Sequence, residues 1–143
     1  MLTAAYNISI VLAISLILAG CAGKGNVEKT DDEESSPIEL SPQEFKSKLD
    51  STPDAVLVDV RNPDEVAEGM IEGAVNIDYT DSTFIGKIEP LDKTKPYFVY
   101  CKSGKRSAGA ADEMEKLGFE KVYVLKEGTN NWLKQGFEMV TPQ

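Results

Sequence analysis

The chain has no histidine, and its two cysteines are Cys21 and Cys101. The first absence removes His-ligated metal sites and every Ser-His or Cys-His catalytic pair. A nucleophile in this chain must therefore be activated by something other than an imidazole. Positive charge is also scarce: 15 Lys and Arg stand against 24 Asp and Glu, a formal net charge of −9. Such a chain repels nucleic acid, so no nucleic-acid partner is expected, and any site for a small anion has to be made locally. Residues 1–20 carry no charged side chain at all and contain the long apolar run ISIVLAISLILA at 8–19. That run is too short to span a bilayer comfortably. Its length suits the core of an export signal.

The run ends in Leu18-Ala19-Gly20-Cys21. This resembles a bacterial lipobox, where small residues let a peptidase hold extended backbone and the cysteine thiol takes up lipid as a thioether. The resemblance implies a lipoprotein signal peptide at 1–20 and lipidation at Cys21. It places the mature chain outside the cytoplasm, in a bacterial cell envelope, held to the membrane by lipid and not by a spanning helix. One departure is that the first seven residues, MLTAAYN, lack Lys and Arg. A plain signal peptide or an uncleaved anchor is the alternative, and either exports the domain. Residues 22–36 have almost no large apolar side chains and include Asp31-Asp32-Glu33-Glu34. The segment 21–36 thus reads as a lipidated cysteine followed by a disordered, solvated acidic tether. With Cys21 lipidated, Cys101 has no intrachain partner, and an unpaired thiol in an exported protein is a candidate reactive group.

Residues 37–143 read as one folded domain. β-type segments are expected at 37–40, 55–59, 74–77, 96–101 and 121–125. Several, such as AVLV and YFVY, are continuous apolar runs, as in a parallel sheet covered on both faces. Helices are expected between them. Ser41-Pro42-Gln43-Glu44 and Asn62-Pro63-Asp64-Glu65 each supply an N-cap, a proline at the first helical position and a glutamate at the third. Further helices fall within 81–89, at 107–117 with Ala108, Ala111, Met114 and Leu117 on one stripe, and at about 129–135. Gly118 and Gly136 stand where the last two end. Alternating strand and helix imply an α/β fold: a parallel sheet with helices on both faces and sites beyond the carboxyl ends of the strands.

Cys101 closes the fourth β segment, and Lys102-Ser103-Gly104-Lys105-Arg106 lead into a helix. A strand, a tight loop and a helix N-terminus form an anion cradle whose amides point inward. Gly104 permits the turn. Lys102, Lys105 and Arg106 make the rim cationic. Such a setting favours thiolate over thiol, which supplies a nucleophile without a histidine. Sulfur transfer needs such a nucleophile.

These residues resemble the single-domain rhodanese family of sulfurtransferases. The resemblance rests on Leu57-Val58-Asp59-Val60-Arg61, Glu65 and the run from Gly69 to Ile77. It continues through Cys101-Lys102-Ser103-Gly104-Lys105-Arg106-Ser107-Ala108, and ends with Gly128, Asn131 and Trp132. It implies a rhodanese-like five-stranded parallel sheet flanked by helices on both faces. It further implies that Cys101 is the persulfide-carrying nucleophile and that residues 101–106 form the active-site loop. By the same resemblance Arg106 is expected to bound the pocket and help fix the loop, and Asp59, Arg61 and Glu65 to support the loop end of the sheet. Trp132 is expected as core beside the site. Two departures are Met70, where histidine is common, and Glu127-Gly128, where paired glycines are usual. The spacing from Cys101 to Arg106 is C-x4-R, one residue shorter than the C-x5-R of cysteine phosphatases, and suits a sulfur atom on the cysteine better than a phosphate. The resemblance implies no metal or cofactor, a small thiosulfate-like donor anion, and a thiol or cyanide-type acceptor; the sequence does not fix the oligomeric state, and a monomer is the expectation. The competing expectation is a non-enzymatic module that holds sulfide, polysulfide or a partner protein at the membrane surface.

Overall fold

The computed structural model describes residues 37–142. The signal peptide at 1–20, the lipidation of Cys21 and the tether at 21–36 lie outside the described residues. Five strands appear in chain order: β1 (Ile38–Leu40), β2 (Val56–Asp59), β3 (Val75–Asn76), β4 (Pro96–Tyr100) and β5 (Lys121–Leu125). They form one sheet in the order β1-β5-β4-β2-β3, and every pairing is parallel. The expected strands are all present, each within one residue of its expected bounds.

The helices are α1 (Pro42–Ser51), α2 (Pro63–Ala67), α3 (Phe84–Ile88), α4 (Lys105–Lys116) and α5 (Gly128–Lys134). Local chemistry starts the first two. Ser41 and Asn62 each accept from the backbone of the third helical residue, and Glu44 and Glu65 reach back to the cap backbone. These reciprocal bonds satisfy amides that a helix start otherwise leaves without partners. The carboxyl of Glu44 is correspondingly held below its usual range by the Ser41 hydroxyl and amide. Gly118 and Gly136, just past the ends of α4 and α5, take positive φ.

The pleat divides the core in two. Val58 and Val60, Tyr97, Val99 and Cys101, and Val122 and Val124 face α3 and α4, where Phe84, Ile88, Ala110, Ala111 and Met114 meet them. Leu57, Phe98 and Tyr100, and Tyr123 and Leu125 face α1 and α5, where Phe45 and Trp132 pack. Helices therefore cover both faces, and the central strands β4 and β5 are apolar on both sides. Each fully buried Phe, Leu or Val side chain contributes about 1.5–3 kcal/mol. Removing Phe98, which packs edge-on against Phe45 and beside Tyr123, would open a cavity costing about 3–5 kcal/mol.

Three details differ from expectation. The buried stripe of α4 is Ser107, Ala110, Ala111 and Met114, while Ala108 is exposed and Leu117 only partly buried. The helix begins two residues earlier than expected, at Lys105, because Gly104 at positive φ starts it without a side-chain cap. Trp132 is core, but it packs with Phe45 and Phe137 on the face opposite the cluster that holds Cys101. Its indole Nε1 donates to the Glu138 carbonyl at 3.0 Å. Facing was not legible at Trp132, because nothing local tells which side of the sheet a terminal helix returns to.

Candidate active site

Cys101 follows β4 directly, at the carboxyl end of the sheet. Its Sγ accepts from the Gly104 amide at 3.1 Å and the Ser107 amide at 3.4 Å, and lies 3.4 Å from the Ser107 hydroxyl. Ser107 is the third residue of α4, so its amide is one of the donors that a helix start leaves unpaired. Gly104, the cap residue, has no side chain to serve it. The sulfur takes that place, and so caps α4. Gly104 can turn its amide inward because its φ is +90°.

Burial alone would push the Cys101 thiol up. The Ser107 hydroxyl and the amides of Ser107, Ser103 and Gly104 more than offset it, and the thiol pKa falls below that of an ordinary cysteine. These donors favour the ionised form because they are already aimed at the sulfur. The Ser107 hydroxyl also lies 3.0 Å from the Gly104 carbonyl, to which it can donate. It has one proton, so ionisation of Cys101 offers that proton a second acceptor.

A second helix start holds the loop from behind. The Cys101 carbonyl accepts from Thr129 at 2.8 Å, and the Lys102 carbonyl accepts from Asn130 at 3.1 Å. These are amides of the first turn of α5. The loop's carbonyls are thus tied off toward α5 while its amides serve the sulfur. Gly128 is required at this junction, since a Cβ there would lie 2.2 Å from the Cys101 carbonyl oxygen.

The other expected site residues fall into two groups. Lys102, Ser103 and Lys105 are exposed. Arg106 is not a free rim cation: its guanidinium makes a two-pronged pair with Glu65, at 2.6 and 2.7 Å, which ties α4 to α2. Arg106 holds the Glu65 carboxyl below its usual range, and Glu65 in turn raises Arg106.

Asp59 and Arg61 are buried together, with Arg61 Nη2 2.5 Å from Asp59 Oδ2. Arg61 also donates to the carbonyls of Glu65 at 3.2 Å and Gly69 at 2.7 Å. They brace the chain around the loop and do not approach the sulfur within hydrogen-bonding distance.

Three contributors were not assigned roles from sequence. Ser107 was placed only as a helix start. Asn76 donates to the carbonyls of Asp59 and Arg61, both at 2.8 Å, closing β3 onto β2. The Tyr100 hydroxyl accepts from the Ile71 amide at 3.0 Å. A serine on the buried stripe of an otherwise alanine-rich helix, three residues after a glycine, was the one available signal for Ser107.

Cys101 itself has no exposed surface. The sulfur sits beneath its loop, with the Gly104 and Ser107 amides directed at it. This arrangement can stabilise a thiolate, or a sulfur chain grown on that thiolate.

The family profile described as Rhodanese-like domain matches residues 41–135. A sulfurtransferase of Allochromatium vinosum is 30% identical over 105 residues, covering 73% of this chain and 96% of the relative. YtwF of Bacillus subtilis, provisionally named a sulfurtransferase, is 41% identical over 86 residues, covering 60% of this chain and 82% of its own length. Among solved structures, a rhodanese-related protein of Thermoplasma volcanium superposes with a TM-score of 0.64 at 28% identity, covering 73% of this chain and 99% of that one.

Proposed function

This chain belongs to the rhodanese-like family, and on that premise we propose that it is a sulfurtransferase that carries sulfane sulfur as a persulfide on Cys101. The observation that carries this reading is the set of donors on Cys101 Sγ: two backbone amides and a hydroxyl, all within 3.4 Å. They lower the thiol pKa in a chain with no histidine to do so.

With a thiosulfate-like donor, the Cys101 thiolate attacks the outer sulfur. A new S–S bond forms to Cys101, the donor's S–S bond breaks, and its electron pair leaves on sulfite. The terminal sulfur of the persulfide bears the negative charge, which the same inward-facing donors stabilise. A thiol or cyanide then attacks that sulfur, and the Cys101 thiolate returns. We place the domain outside the cytoplasm of a bacterium, anchored through lipid on Cys21. The support for this is the apolar run at 8–19 followed by Leu-Ala-Gly-Cys.

The test is intact-mass measurement after incubation with thiosulfate, followed by thiocyanate formation with cyanide. The expected result is an added sulfur atom on Cys101, with both sulfur loading and turnover lost in Cys101→Ser. Loading or turnover that survives Cys101→Ser contradicts the reading. A folded chain that takes up no sulfur favours a binding module for sulfide, polysulfide or a partner.

A further inference from the structure

Of the described non-glycine residues, Asp54 and Glu127 have positive φ, each 58°. Aspartate adopts this conformation readily, whereas for glutamate it is strained. Glu127 is held in it from both sides. A Cβ on Gly104 would lie 3.2 Å from the Glu127 backbone nitrogen, and the next residue, Gly128, is pressed against the Cys101 and Lys102 backbone. Gly104 is also the residue whose amide holds the sulfur at 3.1 Å. The Glu127 backbone is therefore separated from Cys101 Sγ by a single residue. A turn that needed only its backbone shape would be served better by glycine. Strain retained beside a reactive group points to a use for the side chain. The side chain of Glu127 is exposed, and it makes no hydrogen bond or ion pair among the described residues. Its charge opposes that of Lys102 and Lys105, which are exposed on the same loop.

We propose that Glu127 is a specificity residue for the sulfur donor, its carboxylate disfavouring dianions and leaving donors of lower negative charge less affected. The inference rests on the sulfur-transfer reading. The chemistry is the same for either donor. The Cys101 thiolate takes the outer sulfur, forming Cys–S–S⁻, and the pair from the broken S–S bond departs as sulfite from thiosulfate or as methanesulfinate from methanethiosulfonate. Charge is conserved in both cases, and the two donors differ by one negative charge.

The test measures the second-order rate of sulfur loading on Cys101 with thiosulfate and with methanethiosulfonate, in the wild type, Glu127→Gln and Glu127→Asp. At low salt, one charge about 8 Å from the reacting sulfur changes the rate by about twofold per unit of donor charge, taking the surroundings as nearly aqueous. Glu127→Gln should then speed thiosulfate about fourfold and methanethiosulfonate about twofold. Glu127→Asp should keep the wild-type preference. The differences should fade near 1 M salt, where the screening length is about 3 Å. Equal changes with both donors, or no change with either, overturn the inference while leaving sulfur transfer intact. A wild type that loads from neither donor overturns the sulfur-transfer reading, and this inference with it.

Discussion

Asp59 ends β2, and Cys101 follows the end of β4, the strand beside it. Both are fully buried, yet their charge is handled in opposite ways. Asp59 meets a full counter-charge, the Arg61 guanidinium, which also spends its remaining donors on the Glu65 and Gly69 carbonyls. Tyr100 beside them is forced to stay protonated, its pKa pushed far up by burial and then by Asp59. Cys101 has no cation in hydrogen-bonding contact. Amide dipoles and one hydroxyl stabilise its charge. A buried charge matched by an opposite one is closed and structural. A buried charge whose hydrogen-bonding contacts are all dipoles keeps its electron pair available for a new bond. Together they divide the carboxyl end of the sheet into a brace and the proposed reactive centre.

Breaking the brace should have the larger effect. Arg61→Met leaves Asp59 buried without its partner, and urea unfolding should show a loss of about 3–5 kcal/mol. The folded fraction should still load sulfur at Cys101, because no part of the Arg61 side chain serves the sulfur. A loss of loading with stability unchanged would mean that the two centres are not separable.

Weakening the dipoles should act on chemistry and spare stability. Ser107→Ala removes one donor to the charged sulfur, a loss of about 1.5 kcal/mol or roughly tenfold in rate near neutral pH. The sign follows from the direction of the shift. The native thiol pKa is depressed, so the reactive thiolate is present above that pKa and lost as pH falls through it. Removing a group that lowers the pKa moves the rising limb of the rate profile to higher pH. A profile displaced to lower pH, or unmoved, would show that the hydroxyl does not serve the thiolate.

Legibility in the sequence follows the range of the interactions. The strands were readable because central parallel strands are apolar on both faces, as in YFVY at 97–100. The starts of α1 and α2 were readable because a capping box is closed within four residues. The Cys101 loop was readable because sulfur, glycine and helix start are adjacent in sequence. What could not be read depends on distant partners. Pairing of Arg106 with Glu65 spans 41 residues, which is why the loop sequence placed Arg106 on a cationic rim without naming its partner. The Met70–Val140 bridge, which closes the C-terminal segment onto the turn after α2, has no local mark either. Nor does the face chosen by Trp132. Glu127 lies between these cases: its departure from glycine stands in the sequence, but its left-handed backbone and its contact with Gly104 emerge only from the fold.

The most direct measurement is the ultraviolet absorbance of the Cys101 thiolate as a function of pH, with Cys101→Ser as the blank. The sulfur's inward-facing donors predict a midpoint below that of an ordinary cysteine, and a higher one in Ser107→Ala. A wild-type midpoint at or above the ordinary value would mean that burial outweighs the loop's dipoles, and that no thiolate stands ready to accept sulfur.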